Sequence, residues 1–309
     1  MNKVLIILNP AARGGRSGKL VERIRSFANG AEIRLTDGTG DARRFAMEAV
    51  REGFETIVAA GGDGTVNEVL NGVVGADVRL GILPTGTMNV SAAELGIPSG
   101  DPAQAWEVIE RGFFREIDLP CANGQFFIQL AGVGLDAEVV RRTPVELKKS
   151  LGPLGYVLTL AKVLAGPPPR ITAKSPDGGV REGCFVLIGN GRMYGGPFRL
   201  FKDACLDDGR LDVLVFKNQS HWDIVRYFQA ILAGAHWKLP DVEYFQTESL
   251  LVEGPAGVAV ELDGESAGEV PCEFTISDTR LRVVVPEGNI GATTNPRIFR
   301  PSLQTDPPV

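Results

Sequence analysis

Three glycines and one aspartate follow a buried strand in the first third of the chain. Thr56–Ala60 reads as the strand, Gly61–Gly64 as a turn, and Thr65 as the opening residue of a helix. Glycines let the backbone approach a ligand closely, and the amides at a helix N terminus favour an anion. The pattern therefore predicts a phosphate-binding turn, although a tight strand-to-helix connection without a ligand has the same signature.

The carboxylate of this turn adds a second expectation. Asp63 beside a phosphate would be repelled unless a cation lay between them, so we expect it to contact Mg²⁺ or water and to take part in catalysis. Two common nucleotide motifs do not fit. Leu20 stands where a Walker A loop needs Ser or Thr, and the spacing around Gly62 and Gly64 fails the dinucleotide-binding fingerprint.

The elements that position these residues change character near residue 118. Residues 1–118 alternate short apolar runs with segments of helical period, which predicts an α/β nucleotide-binding domain with a largely parallel sheet. Residues 119–289 read mainly as short strands, the last at Leu281–Val285, which predicts an antiparallel β-sandwich or a partly closed barrel. Residues 290–309 either pack back onto the first domain or fray.

The composition indicates which partners the protein is expected to bind and in which cell compartment it is expected to lie. The 309 residues contain 32 Lys and Arg against 38 Asp and Glu, a net charge of -6, so nucleic-acid binding is not expected. The four cysteines form no CxxC pair, which favours reduced structural thiols over a zinc site. No apolar stretch reaches the roughly 20 residues of a membrane span, and we expect a cytoplasmic protein with peripheral, transient membrane contact only.

Several short motifs accompany the glycine turn in a fixed order. They are Asn9-Pro10, Thr36 with Gly40-Asp41, Gly86-Thr87-Met88-Asn89, Ala131–Ala137, Asp203–Asp212 and Asp263-Gly264-Glu265. Together with the turn they resemble the diacylglycerol kinase catalytic family, which includes bacterial diacylglycerol kinases, sphingosine kinases and ceramide kinases. The resemblance covers nearly the whole chain. It implies an α/β nucleotide-binding domain, an all-β sandwich domain and an active site in the cleft between them.

The resemblance also implies roles for individual residues. Those implied to surround ATP are Asn9, Thr36, Gly61, Gly62, Asp63, Gly64, Thr65, Val66, Asn67, Glu68 and Thr87. Asp208, with the backbone carbonyls of Cys205 and Arg210, matches the family's Mg²⁺ site, although a bare hairpin turn has the same pattern. Asp263 or Glu265 matches the general base, and without the resemblance this segment is a β-turn with solvated carboxylates.

These motifs predict an ATP- and Mg²⁺-dependent lipid kinase. It would transfer the γ-phosphoryl group to a hydroxyl of a diacylglycerol-like or sphingoid lipid at a membrane surface. Two alternatives stay open: a kinase of a soluble substrate, as in NAD kinases, which share the glycine turn, and a regulator that binds nucleotide or lipid without catalysis. Val90 follows Asn89 where the family more often has aspartate, which leaves the nucleotide preference open. A homodimer is compatible with the sequence.

Two further features bear on a lipid surface. An apolar stripe predicts a helix that either packs on the β-sheet or dips into a lipid interface; its residues are Trp222, Val225, Phe228, Leu232 and Ala235. Basic residues provide either a rim for anionic headgroups or an ordinary solvated face; they are Arg141, Arg142, Lys148, Lys149, Arg192, Arg199 and Lys202. His221 and His236, beside this stripe, are expected at a boundary or on the surface.

Overall fold

The computed structural model describes residues 3–11, 17–144, 153–196 and 198–289. The predicted basic pair Lys148-Lys149 and the terminal residues 290–309 lie outside the described residues.

The described residues form two domains from the following elements. The strands are β1 (Val4–Leu8), β2 (Glu32–Leu35), β3 (Thr56–Gly61), β4 (Arg79–Pro84), β5 (Phe114–Ile117), β6 (Pro120–Ala122), β7 (Gln125–Phe126), β8 (Leu130–Val133), β9 (Ile171–Lys174), β10 (Val180–Gly183), β11 (Phe185–Gly189), β12 (Met193–Tyr194), β13 (Phe198–Arg199), β14 (Leu211–Phe216), β15 (Val242–Thr247), β16 (Ser249–Glu253), β17 (Ala259–Leu262), β18 (Glu265–Glu269), β19 (Cys272–Ile276) and β20 (Leu281–Val284). The helices are α1 (Ser17–Phe27), α2 (Asp41–Arg51), α3 (Asp63–Val73), α4 (Val90–Glu94), α5 (Pro102–Arg111), α6 (Leu135–Arg142), α7 (Pro153–Val163) and α8 (His221–Leu232).

The first domain is built on a six-stranded sheet. Its strand order is β2-β1-β3-β4-β20-β5, and every strand except β5 runs parallel to its neighbours. Strands β1, β3 and β4 are apolar and buried nearly throughout, as expected where helices cover both faces of a sheet. Right-handed crossovers place α1 on one face and α2 and α3 on the other. All four strand ends that carry the predicted nucleotide residues therefore meet at one edge.

One strand of this sheet corrects the sequence interpretation. The sequence predicts Leu281–Val285 as a strand of the second domain, but Leu281–Val284 pairs with β4 and β5 of the first. A short apolar strand fits a buried position in either sheet, so its pattern does not select one. The chain therefore leaves the first domain after β5 and returns to it at β20.

The second domain is a sandwich of two six-stranded sheets, which confirms the predicted fold class. The strand orders are β10-β9-β16-β19-β6-β7 and β15-β14-β11-β8-β17-β18, with antiparallel neighbours throughout. Their facing side chains form one apolar core, which includes Phe127, Val213 and Phe274. The strands β11 and β14 are buried on both faces, because a second apolar core covers the outer face of their sheet.

Helices α6, α7 and α8 contribute to this second core, and of the two alternatives for the apolar stripe of α8 the structure excludes packing on the sheet. The residues of α8 that pack inward are Ile224, Tyr227 and Ile231. The predicted stripe, by contrast, faces outward, with Trp222, Val225, Phe228 and Leu232 all exposed. Apolar residues occur on both sides of α8, so the sequence period did not determine which side meets the sheet.

The two histidines differ more than the sequence suggested. His221 is exposed at the start of α8, as expected. His236 is completely buried beyond the end of this helix, with Nε2 2.6 Å from the carbonyl oxygen of Leu200. The expectation of a boundary or surface position was therefore wrong for His236.

Within the described residues, no helix combines the length and apolar character needed to cross a membrane.

Candidate active site

The predicted nucleotide residues lie along the carboxyl edge of the first sheet. Asn9 follows β1, Thr36 follows β2, Gly61 ends β3, and Thr87 lies in the loop after β4. Asn9 joins two of these segments, because its backbone amide donates to the carbonyl of Ala60 (2.9 Å) and its side-chain amide donates to Oγ1 of Thr65 (3.3 Å). Ligands of open α/β sheets bind at this edge, so the arrangement suits a nucleotide.

Two glycines at this edge, Gly61 of the turn and Gly86 of the loop after β4, are required by close packing. A Cβ on Gly61 would lie 2.3 Å from Oγ1 of Thr65, and one on Gly86 would lie 2.4 Å from Cα of Gly62. The carbonyl of Gly61 accepts hydrogen bonds from the amides of Thr85 (3.0 Å) and Gly86 (3.1 Å). The turns after β3 and β4 thus lie against each other. Val66, implied to lie near ATP, is buried in the core of the first domain.

Asp63 connects the turn to the next helix. Its carboxylate accepts the backbone amides of Val90 (3.1 Å) and Ser91 (3.0 Å), the first two residues of α4. An anion at this position suits the amides of a helix N terminus. These contacts give Asp63 a structural role that the sequence did not predict, and its contact with a metal or water stays a prediction.

Glu68 and Asn67 hold neighbouring segments through α3. The Glu68 carboxylate accepts the amides of Gly40 (2.9 Å) and Ala42 (3.1 Å), which positions the start of α2 beside Thr36. The Asn67 side-chain amide donates to Oδ2 of Asp263 (2.8 Å) and to the carbonyl of Phe126 (3.1 Å), both in the second domain. Helix α3 therefore connects the phosphate-binding turn to the sandwich.

Asp263, one of the two candidate bases, is enclosed by donors. Besides Asn67, its carboxylate accepts the backbone amides of Ile128 (2.9 Å), Gln129 (2.9 Å) and Leu130 (3.1 Å). Burial raises the pKa of this carboxyl, and the four hydrogen bonds oppose that shift. Asp263 also has a positive φ of 49°, a conformation that Asp tolerates in turns. Its contacts are those of a residue that fixes the turn.

Glu265, the other candidate, lies across the cleft from the glycine turn. The site of a Cβ on Gly64 is 3.2 Å from Oε1 of Glu265, and the residue is exposed at the start of β18. The carboxylate therefore reaches the N terminus of α3, where the sequence places the phosphates. This contact brings a carboxylate of one domain to the predicted phosphate-binding turn of the other.

A second set of hydrogen bonds between the domains was not predicted from the sequence. The Glu94 carboxylate accepts the backbone amide of Met193 (2.8 Å) and the side-chain amide of Gln129 (3.1 Å). Gln129 also donates to the carbonyl of Met193 (2.9 Å). These residues lie in no recognisable motif and are far apart in sequence, so single-residue patterns could not have identified them.

A buried carboxyl pair lies beneath the turn that carries Asp263 and Glu265. The carboxyl groups of Asp136 and Glu261 are hydrogen-bonded to each other, and burial raises the pKa of both. Tyr194 donates to Oδ1 of Asp136 (2.5 Å), and Glu261 accepts the amide of Gly264 (2.7 Å). The pair thus supports the turn from below, and only Asp136 belonged to a motif seen in the sequence.

The predicted metal residues lie in the loop before β14. Oδ1 of Asp208 accepts the amide of Arg210 (3.0 Å), and the Cys205 thiol donates to Oδ1 of Asp207 (3.0 Å). Burial raises the pKa of Asp208, and the nearby carboxylate of Asp118 adds to that shift. Among the described residues, no three His, Cys, Asp or Glu side chains are grouped as metal ligands. A metal here would depend on Asp208 and backbone carbonyls, a set of hard oxygen donors that fits Mg²⁺.

Comparison with known proteins agrees with this geometry. Residues 3–122 match the family model of the diacylglycerol kinase catalytic domain, and residues 130–285 match that of the YegS C-terminal NAD kinase beta sandwich-like domain. The chain belongs to the diacylglycerol kinase catalytic family. It is a phosphotransferase with an alcohol group as acceptor, and the predicted resemblance is confirmed.

Individual relatives cover almost the whole chain. The diacylglycerol kinase of Bacillus subtilis is 32% identical over 297 residues, covering 93% of this chain and 97% of the relative. A Pseudomonas aeruginosa protein named "Probable lipid kinase YegS-like" is 35% identical over 294 residues, covering 93% and 96%. The crystal structure of "a putative diacylglycerol kinase from Bacillus anthracis str. Sterne" superposes with a TM-score of 0.78 at 28% identity, covering 93% and 96%. An NAD kinase from Archaeoglobus fulgidus shares the fold alone, with a TM-score of 0.51 at 12% identity.

Proposed function

We propose that this protein transfers the γ-phosphoryl group of ATP to a hydroxyl of a diacylglycerol-like or sphingoid lipid, with Mg²⁺ as the metal. The observation that carries the proposal is the position of Glu265 beside Gly64. A hydroxyl that enters the cleft there would meet a carboxylate on one side and the γ-phosphate on the other.

The nucleotide side of the proposal rests on the carboxyl edge of the first sheet. The glycine turn and the N terminus of α3 supply amides for the phosphates. Asn9, Thr36 and Thr87 lie at the same edge of the sheet, after β1, β2 and β4. A cavity of about 390 Å³ is lined by residues of α1 and by Pro10, Leu35 and Asp37, the chain neighbours of Asn9 and Thr36, and we assign it to the nucleoside.

The transfer follows from these positions. The acceptor oxygen attacks the γ-phosphorus, the bond from that phosphorus to the β,γ-bridging oxygen breaks, and ADP leaves with the electron pair. Glu265 takes the proton of the acceptor hydroxyl. Asp208, with the carbonyls of Cys205 and Arg210, would hold a Mg²⁺ that fixes the loop before β14 beside Asp118, where β20 begins. Asp263 positions the turn that carries Glu265.

Two alternative functions predict a different outcome of a phosphate-transfer assay. A soluble-substrate kinase of the NAD kinase type would use the same fold, but the relatives at 32% and 35% identity are named as diacylglycerol and lipid kinases. A regulator without catalysis would have no need of a carboxylate at the position of Glu265. Both observations favour the lipid kinase.

The test is transfer of radiolabelled γ-phosphate from ATP in the presence of Mg²⁺. The acceptors are micelles of diacylglycerol, monoacylglycerol, sphingosine, ceramide or phosphatidylglycerol, with NAD as a soluble acceptor. We expect label in one lipid and its loss with EDTA. Asp208→Asn should raise the Mg²⁺ concentration needed for half-maximal rate, whereas Asp203→Asn, in the same loop, should not. Label only on NAD, or ATP binding without any transfer, would contradict the proposal.

A further inference from the structure

Exposed apolar side chains are concentrated on two helices of the second domain. Eleven large apolar side chains are exposed in the described part of the chain, and seven of them lie on α7 and α8. They are Leu154, Val157 and Leu158 on α7, and Trp222, Val225, Phe228 and Leu232 on α8. We call these seven residues the α7/α8 face. A concentration of this kind marks an interaction site, since exposed apolar residues are otherwise scattered.

The two helices are firmly attached on their other side. Tyr156 and Leu160 of α7, like Tyr227 and Ile231 of α8, pack into the apolar core on the outer face of the β15-β14-β11-β8-β17-β18 sheet. The outward apolar residues are therefore not needed for this packing. Trp222 is 82% exposed and Phe228 53%. Each helix thus presents a second apolar side to its surroundings.

The charged residues on α7, on α8 and on two short elements that contact α8 are mainly basic, although the whole chain has a net charge of -6. The four elements involved, α7, α8, β13 and the turn at His236–Lys238, contain one acidic residue, Asp223, which pairs with Arg226 (3.1 Å). They also contain Lys162, Arg199 and Lys238, which are exposed and form no ion pair among the described residues. By contrast, Arg141 and Arg142 of the predicted rim pair with Glu138.

We propose that the α7/α8 face docks on a lipid bilayer with anionic headgroups. The aromatic and aliphatic side chains would enter the boundary between headgroups and acyl chains, and Lys162, Arg199 and Lys238 would contact the headgroups. Tryptophan is favoured at this depth because its ring is amphipathic. A second copy of the chain fits less well, because a symmetric contact would bring these unpaired basic residues towards their own copies.

The β12–β13 hairpin connects this face to the cleft. At one end, the Met193 amide donates to Glu94 at the domain contact (2.8 Å). At the other end, the ring of Phe198 lies 6.3 Å from that of Phe228, in an edge-on arrangement. Docking would therefore bring the cleft close to the bilayer from which a lipid acceptor is drawn. This inference rests on the proposed function for its biological purpose but not for its test.

The test measures binding of the purified full chain to sucrose-loaded vesicles by sedimentation, without nucleotide. The vesicles are phosphatidylcholine alone or mixed with phosphatidylglycerol. We expect binding to the anionic vesicles that decreases with added salt. Trp222→Ser and Phe228→Ser should each weaken it about tenfold. Val180→Ser and Met47→Ser remove exposed apolar side chains elsewhere and should leave binding unchanged.

Fluorescence provides a second readout. Brominated acyl chains should quench the tryptophan emission of the wild type, and Trp222→Ser should remove most of that quenching, since Trp106 is buried and Trp237 is only partly exposed. Absence of binding to anionic vesicles, or equal binding by the two variants and the wild type, would overturn the proposal. So would a dimer in sedimentation velocity that Trp222→Ser dissociates, because a second copy would then cover the face.

A transfer assay distinguishes failure of the proposed lipid kinase function from failure of the docking surface. Transfer to a monomeric, water-soluble short-chain diacylglycerol requires the active site but no bilayer. Trp222→Ser should keep that rate while losing transfer to diacylglycerol in vesicles. No transfer to either form by the wild type would contradict the lipid kinase, and the vesicle-binding result would still decide the docking surface.

Discussion

Asn67 and Asp263 are joined by a hydrogen bond of 2.8 Å from the side-chain amide to Oδ2, although 196 positions separate them in the chain. Asn67 lies one turn into α3, the helix whose N terminus faces the proposed phosphates. Asp263 opens the turn that carries Glu265. This bond therefore relates the phosphate-binding turn of one domain to the candidate base of the other.

Asp263 should matter for stability more than for proton transfer. Asp263→Ala removes the acceptor of three backbone amides and of Asn67, and leaving such donors unpaired costs about 2–4 kcal/mol in the free energy of unfolding. Urea denaturation measures the change, with Asp278→Ala in the same domain as control. A variant with normal stability and no phosphoryl transfer would instead identify Asp263 as the base.

Gly64 should be needed for the position of Glu265. Gly64→Ala places a methyl group 3.2 Å from the present position of Oε1 of Glu265. Because small displacements of a reacting group are costly, we expect kcat to fall about 10- to 100-fold. Steady-state kinetics with the lipid acceptor tests this, and Gly100→Ala, where the added Cβ contacts nothing within 4 Å, is the control. An unchanged kcat would show that the carboxylate position does not limit the rate.

His236 should make stability depend on pH. Burial lowers the pKa of His236, so the folded protein binds this proton less tightly than the unfolded chain does. The contribution of neutral His236 is complete above its ordinary pKa of about 6.5 and decreases as the pH falls through that value. The contribution of His236 to the free energy of unfolding should therefore fall from pH 7 to pH 5, opposite in sign to that of the buried carboxyls Asp136 and Glu261, whose pKa is raised.

The variant His236→Gln should reduce this slope, and His221→Gln, at the exposed histidine, should keep it. Urea denaturation at each pH gives the comparison. Equal slopes for both variants would assign the pH dependence to other groups.

Much of the fold could be predicted because buried strands and glycine turns leave local signatures. The strand predicted at Thr56–Ala60 and the helix predicted after the glycine turn are both present, as β3 (Thr56–Gly61) and α3 (Asp63–Val73). The partner of a strand is not local information, which is why Leu281–Val284 was placed in the wrong sheet. The sequence left two positions open for the stripe of α8 for a related reason: apolar residues such as Ile224 and Phe228 occupy both sides of the helix.

The site could be predicted as a set of residues but not as a set of roles. The order of the motifs predicted Asp63, Asp263 and Glu265 as site residues, and all three lie near the glycine turn. Their contacts separate them: Asp63 and Asp263 accept backbone amides, and Glu265 reaches Gly64. Such differences depend on which donors surround a carboxylate, and those donors come from distant parts of the chain.

The most direct measurement compares kcat of Glu265→Gln with that of the wild type in the labelled phosphate assay. Glu269→Gln, at the other end of the same strand, is the matched control. If Glu265 accepts the proton of the acceptor hydroxyl, its amide variant should lose about 10²- to 10⁴-fold in kcat while keeping ATP binding and stability. A Glu265→Gln variant as active as Glu269→Gln would contradict the account.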